Sequence, residues 1–462
     1  MPLELRDRTG GAAGACESVE RVVIDSREVR RGDLFVAIAG DRHDGHDHVA
    51  EAFDRGAVGA IVEREPEATG GWWIRVDDSV RALAQLAEAS RARFAGRLVA
   101  VTGSSGKTTC KNLITQVLGE DAVGAKASFN NHIGVPLTLL AIEADTRHAV
   151  LEIGTSSPGE IGPLAKLARP HIALITTVGE SHLRGLGDVH GVAREKGALL
   201  DALPSDGIAI LPRDNRFFKE LRDRSAVEVH SFGFHADSSY RILSAEDGEQ
   251  GLEVTLRLPD GEQLQATSSL RGRHNALNLV ATTAAAHQLG MAPAEIADRL
   301  AACTAAPMRM ESLRLGSVFV VNDAYNANPM SMRAALEAFG NIPTNDARRV
   351  AVLGDMRELG PESARYHREV VELALSSGLD RLVLVGPRMQ IAAGTVELSP
   401  EIASRLHVDV FGFEDPESFM DTIGSVIEPG DAVLLKGSRA VALERCVPHL
   451  EIIGRKRVET AA

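Results

Sequence analysis

The stretch Leu98 to Ile114, LVAVTGSSGKTTCKNLI, constrains the fold more than any other in the chain. Leu98 to Val101 run without a polar break, as in a strand covered on both faces. A Gly/Ser turn follows, and after Lys107-Thr108-Thr109 the pattern turns helical. A strand that passes through glycines into a helix N-terminus is suited to phosphate. The free N–H groups of Gly103 to Gly106 and the helix dipole favour anionic oxygens, Lys107 neutralises β/γ charge, and the Thr108 hydroxyl reaches Mg²⁺. The full Walker pattern asks for a glycine where Val101 stands. What remains is T-G-S-S-G-K-T-T, and it makes Thr102, Gly103, Ser104, Ser105, Gly106, Lys107, Thr108 and Thr109 candidate ATP-binding residues. The loop alone leaves kinase, motor, GTPase and ligase open.

The 462 residues around it suggest about three domains. Over residues 1–95, strand-like runs (RVVIDS, DLFVAIAG, AVGAIVE) alternate with a helical stretch from His48 to Arg55. Asp77-Asp78 then offer an N-cap to a helix reaching about Phe94. Residues 96–304 carry a βαβ rhythm, with further strands HAVLEIG and HIALITTVG. Between about 228 and 270 the rhythm changes, and GLEVTLRLPDGEQLQA reads as a hairpin turning at Pro259-Asp260-Gly261. Helices resume at NALNLVATTAAAHQLG, where Gly290 is a C-cap. Residues 305–462 repeat the α/β alternation with strands VFVVNDA, RRVAVLGD, RLVLVG and DAVLLKG.

Acidic residues outnumber basic ones 64 to 50, a formal net charge of −14, which disfavours nucleic acid as the main partner. MPLELRDRTGG lacks an apolar signal core, and no window gives about eighteen uninterrupted apolar residues, so a cytoplasmic protein without membrane insertion is expected. Cys16, Cys110, Cys303 and Cys446 show no C-x-x-C spacing and suggest neither zinc nor a disulfide framework. Cys110 reads as a small apolar residue on the first helical turn.

Three polar residues of the central section, Glu152 in VLEIG, His182 in TTVGESHLRGLG and Lys196 in VAREKGALL, are expected at the C-terminal ends of strands. Carboxylate and imidazole are ordinary ligands for a divalent ion that bridges phosphates. Singly, each has a plainer reading: a salt bridge, a loop histidine, a solvated helix face. Together with the glycine turn they resemble the ATP-dependent Mur ligases, and the resemblance runs across nearly the whole chain. It implies that Thr108, Glu152 and His182 bind magnesium, and that Lys196 carries a CO₂-derived carbamate, which turns a cation into a further metal-binding carboxylate. Lys107, Lys196 and His182 are then the catalytic candidates.

Within that family, NNHIGVPLTLL, SPGEIGPLA, RHNALNLVATTAAA, NDAYNANPMSM, AVLGDMRELG and LLKGSR look most like the branch that adds D-alanyl-D-alanine to UDP-N-acetylmuramoyl tripeptide. DSREVRRGDLFVAIAG is shared with the branch that adds the third peptide residue and does not discriminate. The resemblance implies a small N-terminal α/β UDP-binding domain, a central P-loop ATPase-type parallel sheet and a C-terminal Rossmann-like α/β domain. It implies UDP-precursor binding by Ser26, Arg27 and His46, the last within Asp44-Gly45-His46. It further implies ATP binding by Asn275, Arg309 and Asp323, and acceptor binding by Tyr325, Asn326, Asn328, Lys436 and Arg439. ATP, Mg²⁺ and carbamylated Lys196 are the implied cofactors, and a monomer is expected. The chain departs from the family's usual residues at His132, Ser156, Ser157, Met308, Asn322 and Ala324. Rival readings are an amide ligase with another acceptor, such as a folylpolyglutamate synthetase, and a catalytically silent UDP-precursor-binding protein.

Overall fold

The computed structural model describes residues 18–40, 43–67, 70–248, 251–344, 347–396 and 408–460, with side chains to Arg455. The MPLELRDRTGG stretch and Cys16 lie outside the described residues.

Three sheets follow one another along the chain. The first is parallel and in sequence order: β1 (Val22–Val23), β2 (Leu34–Val36), β3 (Gly59–Val62) and β4 (Trp72–Arg75). The second comprises β5 (Arg97–Thr102), β6 (Ala122–Gly124), β7 (His148–Glu152), β8 (Ile172–Ile175), β9 (Ile208–Pro212), β10 (Glu228–Gly233), β11 (Tyr240–Gly248), β12 (Gly251–Arg257) and β13 (Gln263–Ser268). Its order is β13-β12-β11-β10-β9-β8-β5-β7-β6. The third comprises β14 (Glu311–Leu315), β15 (Val318–Asp323), β16 (Arg349–Gly354), β17 (Arg381–Val385), β18 (Asp409–Phe413) and β19 (Ala432–Lys436), in the order β14-β15-β19-β16-β17-β18.

The central strands are unbroken apolar runs because both faces are covered. Leu98 and Ala100 of β5 enter the core on one side of the sheet, while Val99 and Val101 enter the core on the other. The predicted hairpin turns where expected, with Gly261 N–H bonded to Leu258 O. It is part of a larger element, since β11 also pairs antiparallel with β12 and joins the hairpin to the parallel sheet through β10. Gly290, at φ +93°, follows the last residues of the helix Arg273–Gln288. Asp78 caps the helix Ser79–Arg93 by accepting from Arg81 N–H.

That helix joins the first sheet to the second. Ala82 and Leu83 lie in one cluster with Leu34, Val36 and Ile61 from the first sheet, and Ile133 and Leu137 pack against it from the central domain. Arg91, almost fully buried, donates to the carbonyls of Ala168 (2.6 Å) and Arg169 (2.7 Å).

Candidate active site

The chain leaves β5 toward β6 and β7 on one side and returns through β8 on the other, so the crevice beyond the end of β5 is a topological switch point. The glycine loop occupies it. Gly106, at φ +82°, precedes the helix Lys107–Leu118, and a Cβ there would stand 2.4 Å from Asn278 Oδ1. At Gly103 a Cβ would stand 1.9 Å from Thr176 Oγ1. Only glycine fits either place. Lys107 Nζ donates to Gly103 O at 2.8 Å, and burial of its ammonium pushes its pKa down.

A cavity of about 460 Å³ opens above the loop, within the range of small-ligand sites. Ser104 to Thr109, Glu152, His182, Asn275, Arg309, Asp323, Tyr325, Asn326, Asn328 and Lys436 all line it. Thr102 and Gly103 lie beneath, the Thr102 hydroxyl donating to Ile153 O at 2.8 Å. Ser104 lines the cavity, but its hydroxyl is tied to the loop leading to His182, through Gly179 O (2.9 Å) and Ser181 Oγ (2.8 Å).

Glu152 ends β7 as expected. Its Oε2 accepts from the Thr108 hydroxyl at 2.6 Å and its Oε1 from Asn130 Nδ2 at 2.7 Å. The other two candidates are not at strand ends. His182 lies beyond β8 in a loop, next to the short helix Leu183–Leu186, and Lys196 lies on the helix Val189–Gly197. The pattern SHLRGLG reads as a loop and REKG as a helix, and tertiary packing alone brings them near β5. Lys196 is 1% exposed and falls outside the cavity lining. Among the described residues no hydrogen bond or ion pair involves its side chain, and burial, then the Lys107 charge, holds its pKa well below the usual lysine value. Its neighbour Glu195 is spent on structure, accepting from Gly159 N–H (2.7 Å) and Ile161 N–H (2.8 Å).

The C-terminal domain forms the opposite wall. Lys436, also 1% exposed, donates to Asp323 Oδ2 at 2.5 Å and to Asn326 O at 3.1 Å. Arg309 lies over the Tyr325 ring, 4.1 Å from its centroid. Asn328 caps the helix Pro329–Asn341 and also donates to Ser104 O at 3.2 Å, so it links the two walls. Arg439 is exposed, pairs with Glu444 and lies outside the cavity lining.

Ser26, Arg27 and His46 belong to the N-terminal domain and do not line this cavity. Ser26 Oγ donates to Glu51 at 2.7 Å, and exposed Arg27 pairs with Asp25. Both ring nitrogens of His46 are engaged, Nδ1 with Asp44 at 2.6 Å and Nε2 accepting from Glu63 N–H at 2.8 Å.

Sequence reasoning assigned no role to Ser128, Asn130, Asn278 or Glu358, although the last three lie within quoted stretches. Of the departures, Asn322 donates to Glu311 at 3.2 Å, where an aspartate would set two carboxylates together. Met308 takes the left-handed conformation, φ +58°, that favours the glycine it replaces. His132, Ser156 and Ser157 are exposed, and Ala324 is buried. The Cys110 thiol is buried and its pKa pushed far up, which leaves it inert, as its apolar reading implied.

The family description "Mur ligase middle domain" matches residues 101–286, "Mur ligase, glutamate ligase domain" matches 308–439, and "Mur ligase family, catalytic domain" matches 18–91. UDP-N-acetylmuramoyl-tripeptide--D-alanyl-D-alanine ligase of Bacillus subtilis is 33% identical, with 94% of this chain and 93% of the relative covered. The chain belongs to the Mur ligase family. The ligase of the same description from Escherichia coli is likewise 33% identical, over 96% of each chain. A crystal structure of MurF from Acinetobacter baumannii superposes with a TM-score of 0.84 at 29% identity, covering 94% of this chain and 93% of that one. MurF of Thermotoga maritima in complex with ADP gives 0.80 at 29% identity, over 95% and 99%. A folylpolyglutamate synthase of Mycobacterium tuberculosis, at 17% identity and TM-score 0.60, shares the fold alone. The three-domain α/β architecture is that of the MurF structures, as expected for the family.

Proposed function

We infer that the chain is an ATP-dependent ligase that joins D-alanyl-D-alanine to UDP-N-acetylmuramoyl tripeptide, a step of peptidoglycan precursor synthesis. The observation that carries this is likeness to curated ligases of that description along 94–96% of the chain. Retention of Lys107, Thr108, Glu152, His182 and Lys196 argues against a silent precursor-binding protein.

The mechanism we propose is acyl activation. The tripeptide carboxylate attacks the ATP γ-phosphorus to give an acyl phosphate and ADP, and the dipeptide amine then attacks the acyl carbon and expels phosphate. Lys107 and the loop N–H groups hold the phosphates and stabilise charge on the transferred group. Asn275, Arg309 and Asp323 bind the nucleotide, while Tyr325, Asn326, Asn328, Lys436 and Arg439 serve the incoming dipeptide. Ser26, Arg27 and His46 belong to the UDP site, where His46 shapes the loop through Asp44 and Glu63. We place the domain limits at 1–95, 96–304 and 305–462, and propose a cytoplasmic monomer. No described helix is long and apolar enough to cross a membrane.

The residues fit magnesium. Thr108 Oγ1 and Glu152 Oε2, hard oxygen donors 2.6 Å apart, face the cavity, and His182 adds an imidazole. Bound Mg²⁺ would neutralise phosphate charge there. Among the described residues no group of three or more His, Cys, Asp or Glu could hold a metal by itself. A carbamate on Lys196 would add an anionic oxygen pair. Its lowered pKa favours the neutral amine that attacks CO₂.

The test is phosphate release with ATP, Mg²⁺, UDP-muramoyl tripeptide and a panel of amines. D-alanyl-D-alanine should support turnover and free D-alanine little. Use of a diamino acid on UDP-muramoyl dipeptide, with none of D-alanyl-D-alanine on the tripeptide, would sink the reading. Lys196→Ala should abolish turnover, and an added small carboxylate should partly restore it. Full activity of that variant would remove the carbamate.

A further inference from the structure

His182 Nδ1 lies 2.5 Å from Glu358 Oε2 across the boundary between the central and C-terminal domains. An ionised carboxylate only accepts, so the ring donates from Nδ1, and in the neutral imidazole the lone pair then lies on Nε2. Both residues hold left-handed backbones, φ +52° and +61°, which non-glycine residues adopt only when their surroundings enforce it. Each is fixed within its own domain. On the central side, Ser181 Oγ bonds Ser104 Oγ at 2.8 Å, anchoring the His182 loop to the phosphate loop. On the other side, Met356 N–H donates to His367 Nε2 (3.0 Å) and Arg357 N–H to Ser438 Oγ (2.9 Å). Arg184 N–H donates to Glu358 O at 3.0 Å, which registers the two turns against each other.

We propose that Glu358 is a positioning residue that holds the His182 ring in the tautomer able to bind a divalent cation, so that the metal site is complete only when the C-terminal domain has closed. This rests on the reading of His182 as a metal ligand. Carboxylates that orient a ligating imidazole in this way raise its basicity, and losing one weakens metal binding about 10- to 100-fold. Here the carboxylate comes from a different domain, so an open enzyme would lack it and would bind metal less tightly.

The test uses the full chain in two measurements. In metal-free protein labelled with ¹⁵N-histidine, the His182 signals, assigned by their loss in His182→Gln, should report the Nδ1–H tautomer in wild type and a shift toward Nε2–H in Glu358→Ala. Mn²⁺ titrated with ADP present should bind about 10-fold or more weakly to Glu358→Ala. Glu358→Gln, which keeps an acceptor without charge, should fall between, and the melting temperature should change little. Unchanged tautomer and unchanged Mn²⁺ affinity in Glu358→Ala would overturn the positioning role alone. Unchanged Mn²⁺ affinity in His182→Gln would overturn the metal assignment and the proposal with it.

Discussion

The Tyr325 hydroxyl donates to Ser128 Oγ at 2.6 Å, a bond between the C-terminal wall of the cavity and the central loop that also carries Asn130. Because Arg309 lies over the same ring, one tyrosine ties the cation of the C-terminal wall to the phosphate-loop side. A neutral hydrogen bond of this kind contributes about 1 kcal/mol, or roughly fivefold in an equilibrium. Tyr325→Phe should therefore raise the KM for ATP about 3- to 10-fold while moving the melting temperature little. Steady-state kinetics at saturating tripeptide measures this, and an unchanged KM would show that the contact does not support closure.

Lys111 lies one turn beyond Lys107 and is 2% exposed. Its ammonium donates to Ala125 O (2.6 Å) and Ala127 O (3.1 Å), and burial lowers its pKa. Lys111→Met keeps the volume but strands both carbonyls, which should cost about 2–4 kcal/mol in a urea titration. Turnover should fall as well, since those carbonyls fix the approach to Ser128 and Asn130. A loss below about 0.5 kcal/mol would show that the loop finds other partners.

His367 is fully buried, and its Nε2 accepts from Met356 N–H, so it must be neutral; burial lowers its pKa below the usual histidine value. The unfolded chain then binds the extra proton more readily. This contribution to stability is fully present above about pH 6.5 and is lost as pH falls toward the depressed native value. Denaturant midpoints measured from pH 8 to pH 5 should decline more steeply for wild type than for His367→Gln, whose amide oxygen can accept the same bond. Equal slopes would count against the assignment.

Met308 and Met310, at φ +58° and +54°, flank Arg309 with left-handed backbones. Relief of about 1 kcal/mol of strain in Met308→Gly is partly offset by the greater freedom of glycine in the unfolded chain, leaving a gain of roughly 0.5 kcal/mol. Thermal unfolding should show a small rise. A loss above 1 kcal/mol would mean that the Met308 contact with Arg439 outweighs the strain.

The phosphate loop, the parallel strands around it and the hairpin turn were legible in the sequence, since apolar period, obligatory glycines and the Lys-Thr pair are local properties that survive any tertiary context. Among the strands that it did not reveal, β4, β6, β14 and β18 all lie at sheet edges, where at most one residue of each is buried and apolar residues such as Trp72-Trp73-Ile74 carry no clear period; Asp409–Phe413 has no buried residue. Sequence also named Glu152 and His182 but not what holds them. Asn130 lies 22 residues from Glu152, Glu358 lies 176 from His182, and Tyr325 lies 197 from Ser128. A hydrogen bond is decided within a few tenths of an ångström, and no spacing along a chain encodes distance across a domain boundary. Chain chemistry determined which groups are available to hold phosphate and metal, and the closure of one sheet over another decided which of them meet.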